Sequence, residues 1–362
     1  CRGGYRRPAE ETTRSRAQVL SQLHRMGALQ PLDEFPGPEQ VYFFLRLTRR
    51  QLEELRNTID CIYEIELAPP PVRDLNLHRD VRTPEIRPFS LKPPALDAPA
   101  VVILDTGIST GHPLLRDAIL SATKAGDEIP SVEDTDGHGT KMAGIALHWD
   151  LGAAIERGHA TAPHWLSSSR MLVRPNTATA SDEHHEKWPD LTRKAVLAAE
   201  ADDAHPRNRV FTLAVTRTMQ EPPFVDFGST LWSHAVDQLA FGDGEGRLMV
   251  VSAGNAREEQ WPILAEQYPQ LQLSEKIHQP AQASNALTVG AFTERVTLPA
   301  IKDFAATKVV ATRPGSISPF TSTGEVGWPI KPDVVLEGGN LAFSGTLPNP
   351  DVLGALTTSR RH

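Results

Sequence analysis

The chain has 362 residues, of which 40% are hydrophobic and 23% charged, a composition that allows a sizeable core and excludes a largely disordered protein. Lys and Arg total 37 against 45 Asp and Glu, for a formal charge of −8, so neither nucleic acid nor a membrane surface is expected as the main partner. The only cysteines, Cys1 and Cys61, exclude a disulfide scaffold, and 30 prolines with 25 glycines disfavour a helical bundle.

The sequence carries no sign of a membrane helix or a signal peptide. No apolar run approaches the roughly 18–20 residues that a membrane helix needs, and residues 1–25 are rich in arginine without an apolar centre. These features and the few cysteines favour a cytoplasmic location. Because the sequence does not begin with Met, we expect its true start to lie upstream. No feature indicates a particular oligomeric state.

The first part of the chain predicts three segments before the main domain. Residues 1–38 are expected to form a polar N-terminal arm with a short helix over 16–26. Residues 39–71 predict a β-α-β unit, with a strand over 41–47, a helix capped by Thr48 and a second strand over 59–67. Residues 72–97 are rich in proline and lack periodicity, which predicts a linker.

Residues 98–362 show a different pattern, in which short apolar runs alternate with amphipathic stretches. Strands are predicted over 101–104, 209–215, 247–251 and 286–291, and helices near 138–148, 189–203 and 230–241. Alternating strands and helices imply crossover connections. We therefore predict an α/β fold, a mainly parallel sheet with helices on both faces.

An aspartate and a histidine stand where such a fold places functional groups. Asp105 directly follows the apolar run 101–104, and polar groups gather just beyond the carboxyl ends of parallel strands. His138 lies in Asp-Gly-His-Gly-Thr at the start of a predicted helix, 33 residues later, a distance that one crossover can cover. Taken singly, each has a purely structural alternative. Together, a carboxylate that orients an imidazole makes that imidazole a general base.

A third block, Val-Val-Ser-Ala-Gly-Asn over 250–255, ends another predicted buried strand. An Asn at a strand exit is often only a turn residue. At the same edge of the sheet as Asp105 and His138, however, the amide of Asn255 could donate to an oxyanion.

The three blocks in this order resemble the subtilisin-like serine peptidases. Further matches are Gly-His-Pro-Leu-Leu over 111–115, Asn-Ala-Leu-Thr-Val-Gly-Ala over 285–291, Ser-Pro-Phe-Thr-Ser-Thr-Gly over 318–324 and Lys-Pro-Asp-Val-Val over 331–335. The resemblance covers about residues 98–341. It implies that Asp105 orients His138, that His138 is the base and that Asn255 contributes to the oxyanion hole.

The same resemblance implies a protein or peptide as substrate and no cofactor. It likens 211–216 to the strand that lines the substrate cleft, although Ala-Val-Thr over 214–216 departs from the family's usual residues and leaves the specificity open. It also likens the 39–71 unit to a propeptide. A packing or accessory domain is the alternative for that unit.

The nucleophilic serine of the family motif Gly-Thr-Ser is not found. Ser344-Gly-Thr346 has the wrong order, and Thr358-Ser359 is followed by two arginines instead of small residues. Ser359 is therefore a weak candidate, since a nucleophile needs a positioned setting beside its base. We expect 98–362 to be an incomplete peptidase domain whose nucleophile lies beyond residue 362. The alternative is a non-catalytic peptide- or protein-binding module of the same fold.

No metal site is expected. The run Asp-Glu-His-His-Glu over 182–186 contains acidic and histidine side chains, but its spacing and polar neighbours favour a solvated loop. Calcium is common in the family that the chain resembles, yet no loop offers enough oxygen ligands at a recognisable spacing.

Overall fold

The computed structural model describes residues 9–28, 31, 33–36, 41–62, 65, 89–149, 151–173, 187–203, 207–216, 230–241, 246–256, 261–298, 307–324, 330–345 and 347–359. The helices are α1 (Ala9–Arg25), α2 (Arg49–Thr58), α3 (His138–His148), α4 (Leu151–Arg157), α5 (Trp188–Asp202), α6 (Leu231–Phe241), α7 (Trp261–Gln267) and α8 (Gln270–Ser274). The strands are β1 (Asp33–Pro36), β2 (Val41–Phe44), β3 (Ser90–Lys92), β4 (Ala100–Asp105), β5 (Ile119–Lys124), β6 (His159–Thr161), β7 (Trp165–Arg170), β8 (Arg209–Leu213), β9 (Leu248–Ser252), β10 (Leu287–Thr293), β11 (Thr307–Val309), β12 (Ser316–Ile317), β13 (Val334–Glu337), β14 (Asn340–Ser344) and β15 (Leu347–Leu353).

The chain forms two compact units, of which the smaller comprises residues 1–70 and 181–190. Its core contains Val19 and Leu23 of α1 and Leu55 of α2. Thr48 caps α2 as predicted: its hydroxyl accepts from the Gln51 backbone at 3.3 Å, and the Gln51 side chain accepts from the Thr48 backbone at 2.9 Å. This reciprocal pair satisfies two backbone donors that a helix start leaves open.

The smaller unit differs from the predicted arm and β-α-β unit. Residues 9–25 and 33–36 are part of the folded unit, because α1 contributes to its core and β1 pairs with β2 in antiparallel register. The strand predicted over 59–67 is wrong for the residues described there, 59–62 and 65, which form no strand. Ile59 and Ile62 pack against the core outside any strand, and the described partner of β2 is β1.

The larger unit comprises residues 71–180 and 191–362. Of the predicted linker, residues 72–88 lie outside the described part of the chain. Residues 90–92, however, form β3, which pairs in parallel with β6, and Leu91 is buried in the same cluster as Ile103 and Leu166. The folded unit therefore begins before residue 98.

A mainly parallel sheet organises the larger unit, as predicted. Among the described residues it has eight strands, in the order β12-β10-β9-β8-β4-β7-β5, with β13 also paired to β10. All neighbours are parallel except β10 and β12. Parallel strands need crossovers, which the helices between the strands provide.

The central strand β4 determines where the site lies. Ala100, Val102, Ile103, Leu104 and Asp105 are all at most 2% exposed, so the strand is covered on both faces. Helix α3 packs against it. A charged group at the end of such a strand is held in a dry environment, which strengthens its interaction with any partner. None of the described helices is both long and apolar enough to cross a membrane.

Candidate active site

The carboxylate of Asp105 ends β4 at the carboxyl edge of the sheet. Its side chain is 1% exposed, and the backbone N–H of Thr106 donates to Oδ1 at 2.7 Å. The strand exit is also fixed from the neighbouring strand, because the N–H groups of Met171 and Leu172 donate to the Asp105 carbonyl. The carboxylate is therefore buried and rigidly aimed.

His138 is the first residue of α3 and meets Asp105 directly. Its Nδ1 lies 2.9 Å from Oδ1 and 2.8 Å from Oδ2 of Asp105. Because a carboxylate only accepts, the neutral ring carries its proton on Nδ1 and leaves Nε2 as the basic nitrogen. Within the described residues, no hydrogen bond engages Nε2, and the side chain is 12% exposed. This is the contact that the 33-residue separation of Asp105 and His138 predicts.

Two glycines allow the helix to approach the strand this closely. Gly137, the N-cap of α3, has φ 109°, a left-handed conformation that side chains rarely adopt. At Gly139 a Cβ would overlap the carbonyl oxygen of Gly107 and lie 3.2 Å from the Cβ of Asp105. A larger residue at position 139 would push α3 away from Asp105.

The surroundings of His138 shift its pKa upward. Burial disfavours the charged imidazolium and by itself lowers the pKa, but the charge of Asp105 and its hydrogen bond outweigh burial. Asp136 adds to the increase and Lys141 opposes it. The imidazolium that forms when the ring accepts a proton is therefore stabilised.

We expect the pKa of His138 to lie above 6.5 in an NMR titration, with the signal identified among the 13 histidines by the His138→Gln variant. Because the folded-state pKa is the higher one, the stabilisation from protonating His138 is fully present below about pH 6.5 and is lost as the pH rises through the folded-state pKa. Any reaction that uses the neutral ring should gain rate over the same rise. A pKa at or below 6.5 would contradict the described contact.

Asn255 lies beyond the end of β9, at the same edge of the sheet as Asp105. Strands β4 and β9 are both parallel to β8, which lies between them, so their ends are about 10 Å apart. The backbone of Asn255 bridges to Thr321, and in the described part of the chain its side-chain amide has no hydrogen bond. The amide thus lies at this edge, and no hydrogen bond among the described residues joins it to the Asp105–His138 pair.

The turn that carries Asn255 is supported by His278. Gly254 has φ 122°, and a Cβ on it would lie 2.5 Å from Cγ of His278. The His278 backbone N–H donates to the Ala253 carbonyl, and its Nδ1 lies 3.3 Å from Oγ1 of Thr216. His278 thereby connects the Asn255 turn to the segment after β8, a link that the sequence patterns did not reveal.

The sheet leaves only part of the segment 211–216, which was predicted to line a substrate cleft, open to a peptide. Residues 210–212 of β8 are paired with β4 on one side and β9 on the other, so no peptide can add to them. Beyond them, residues 214–216 form no strand. Within the described part of this segment, residues 214–216 are free of strand pairing on both sides and could pair with an extended peptide; they are also the stretch that departs from the usual family residues.

The two nucleophile candidates occupy different places. Ser344 ends β14, paired with β11 and β15, so it opens no helix. Ser359 follows a segment that contacts α3: the hydroxyl of Thr357 donates to the Lys141 carbonyl and that of Thr358 to the Thr140 carbonyl, both at 2.6 Å. Of the two candidates, Ser359 is thus the one that directly follows residues in contact with the helix of His138.

Sequence reasoning missed the polar groups beneath the Asp105–His138 pair. Asp134, Thr140 and Arg170 are at most 6% exposed, and their hydrogen bonds hold the loop before α3. Asp134 and Asp136 look equivalent in the sequence, and a lone Arg at a strand end is usually exposed. The sequence feature that could have indicated this polar group is the acidic residue Asp134, which lies four residues before His138.

No group of three or more potential metal ligands occurs among the described residues. The acidic and histidine run at 182–186 lies outside them.

The parallel sheet and the carboxylate–imidazole pair at its carboxyl edge define an α/β protein equipped for proton transfer. A model of the subtilase family matches residues 97–362, so this chain belongs to the subtilase family of serine proteases. The resemblance and the subtilisin-like α/β fold predicted from the sequence are thereby confirmed.

Solved structures similar to this chain include three proteases. The S41 psychrophilic protease is 18% identical with a TM-score of 0.41, over 73% of this chain and 74% of that one. A cold-adapted subtilisin-like serine proteinase is 15% identical with a TM-score of 0.40, over 75% and 72%. The epidermin leader peptide processing protease of Staphylococcus aureus is 16% identical with a TM-score of 0.37, over 67% and 52%. No curated protein matches the chain.

Proposed function

We propose that this protein hydrolyses peptide bonds through an acyl-enzyme, with His138 as the general base, Asp105 as its orienting group and Asn255 as a donor to the oxyanion. The observation that supports this proposal most is the buried Asp105–His138 contact at 2.8 Å, which leaves Nε2 without a hydrogen bond to the described residues. A pair of this kind raises the basicity of the imidazole and fixes its tautomer.

In the proposed reaction, a serine hydroxyl attacks the carbonyl carbon of the scissile peptide bond. Its proton moves to Nε2 of His138, and Asp105 stabilises the resulting imidazolium. The carbonyl oxygen becomes an oxyanion, to which Asn255 and a backbone N–H donate. When the C–N bond breaks, the leaving amine takes the proton from Nε2. Water then repeats the sequence on the acyl-enzyme, which releases the acid product and regenerates the serine.

The competing proposal is a binding module that keeps the cleft and performs no hydrolysis. Within residues 1–362 neither Ser344 nor Ser359 stands in a Gly-Thr-Ser motif, so these residues alone offer the cleft without a recognised nucleophile. Both proposals include an extended peptide bound along 214–216, so peptide binding does not separate them. Reaction with a serine-directed reagent does, because only a base-activated serine is phosphonylated rapidly.

We expect the protein expressed from its complete coding sequence to react with a fluorophosphonate, and the His138→Ala variant to lose this reactivity. Loss of the base should lower peptide hydrolysis by about 10⁶-fold. The control is His159→Ala, since His159 is an exposed histidine of β6. Mass spectrometry of the labelled peptide identifies the nucleophile, with Ser359 as the candidate within residues 1–362. An unlabelled, folded protein would overturn the peptidase proposal in favour of the binding module.

A further inference from the structure

Asp134 is a buried carboxylate that the proposed reaction does not use. It is 6% exposed and lies in the loop that leads into α3. Its Oδ1 accepts from the backbone N–H groups of Asp136 at 3.0 Å and Gly137 at 2.7 Å. Burying a carboxylate is costly unless its oxygens are fully bonded, so this arrangement must hold a particular backbone conformation.

The second oxygen of Asp134 reaches past His138 into the first turn of the helix. Oδ2 accepts from the backbone N–H of Thr140 at 3.0 Å and from its hydroxyl at 2.5 Å. The two oxygens thus bind groups on both sides of His138 in the chain, 136 and 137 before it and 140 after it. The backbone that carries the imidazole is clamped from both ends.

Thr106 joins this clamp to the strand that carries Asp105. Its hydroxyl donates to Oδ1 of Asp134 at 3.0 Å and accepts from the backbone N–H of Gly139 at 3.0 Å. Its own backbone N–H donates to Asp105. One residue therefore connects the Asp105 carboxylate, the Asp134 carboxylate and the first turn of α3.

Arg170 supports the loop from beneath. It is 1% exposed at the end of β7, next to β4 in the sheet. Its Nη1 donates to the carbonyls of Ser131 at 3.2 Å and Glu133 at 2.6 Å, and Nη2 donates to Oγ1 of Thr135 at 2.8 Å. Its charge also interacts with Asp134 and Glu133, which oppose the lowering of its pKa by burial. The guanidinium thus fixes the residues on both sides of Asp134.

We propose that Asp134, supported by Arg170, is a positioning residue that sets the register of His138 against Asp105, with Thr106 as the link between them. The importance of this register for catalysis rests on the proposed function, whereas the register itself can be measured in the chain as it is. The charges that shift the pKa of His138 are Asp105, Asp136 and Lys141. Asp134 therefore acts on the imidazole through the backbone of residues 136–140.

If Asp134 had only a structural role, its replacement would affect unfolding and the Asp105–His138 bond differently. Replacing a residue that only stabilises the fold lowers the midpoint of unfolding but leaves the Asp105–His138 bond unchanged in the molecules that remain folded. Replacing a positioning residue loosens that bond in the folded state. Once the bond loosens, the contribution of Asp105 is lost while burial remains, so the pKa of His138 falls.

The test is an NMR comparison of His138 in the 362-residue chain and in four variants. Asp134→Asn replaces one accepting oxygen of the clamp by an N–H₂ group, and Thr106→Val removes the link, whereas Thr106→Ser keeps the hydroxyl. Asp127→Asn is the matched control, because Asp127 lies in the same region with a fully exposed side chain. The readouts are the downfield resonance of the Nδ1 proton, the pKa of His138 and the urea midpoint.

We expect Asp134→Asn and Thr106→Val to lose the Nδ1 proton resonance and to lower the pKa of His138, while Thr106→Ser and Asp127→Asn keep both. If Asp134→Asn does not fold, Thr106→Val decides, since it retains the buried carboxylate. An unchanged resonance and pKa in folded Asp134→Asn, or in Thr106→Val in its place, would overturn the proposal. These signals need no nucleophile, so they remain informative even if fluorophosphonate labelling fails.

Discussion

Replacing Asp105 by Asn is expected to lower the rate of peptide hydrolysis by the full-length protein by about 10⁴-fold without unfolding it. The amide has the size of the carboxylate, but it carries no charge and presents an N–H₂ group in place of one oxygen. It no longer stabilises the imidazolium, and it favours the tautomer whose proton is on Nε2. A ring protonated on Nε2 cannot accept a proton from the nucleophile.

The loss should appear in kcat more than in KM, because Asp105 is buried behind the imidazole and does not face a substrate. The pKa of His138 should fall below its value in the parent, since the two contributions of Asp105 that raise it are removed and burial remains. The control is Asp117→Asn, where the carboxylate is 45% exposed beside Arg116. If both substitutions leave the rate unchanged, His138 does not depend on Asp105 and the proposed mechanism fails.

Replacing Gly139 by Ala should destabilise the larger unit by about 3 kcal/mol, the upper part of the range for overpacking. The new methyl would overlap the carbonyl of Gly107 and press on the side chain of Asp105. Both obstacles are held in place, one as backbone and the other at the end of a buried strand, so neither can rotate away. The folded fraction that remains should show a weaker Asp105–His138 bond.

Gly111→Ala is the matched control, because a Cβ at this exposed position meets no atom within 4 Å. It should change the free energy of unfolding by no more than about 0.5 kcal/mol. Urea unfolding measured by circular dichroism compares the two variants, and the NMR signal of His138 reports on the bond. Equal midpoints for the two variants would contradict the close approach of α3 to β4.

The alternation of apolar runs was sufficient to predict four strands and three helices of the larger unit, but not its other elements. Strands β4, β8, β9 and β10 and helices α3, α5 and α6 lie within a few residues of their predicted bounds. Buried parallel strands and the helices that cover them have strong local signatures, since each element must be apolar where it packs. In the smaller unit, residues 59–62 are as apolar as a strand but pack without one. The apolar side chains of these residues determine that they pack against the core, but whether they form a strand depends on whether a partner strand is available.

By itself, the sequence determined the family, the α/β fold and the pairing of Asp105 with His138, because these follow from short motifs whose residues are close along the chain or at the ends of recognisable strands. Only the tertiary structure decided that Asp134 is linked to the Asp105 strand through Thr106, that Arg170 is buried beneath the loop of Asp134 and that His278 supports the Asn255 turn. These roles depend on contacts between residues 25 to 62 positions apart. Burial and hydrogen-bond partners at such separations are set by how the elements pack, and no local pattern encodes them.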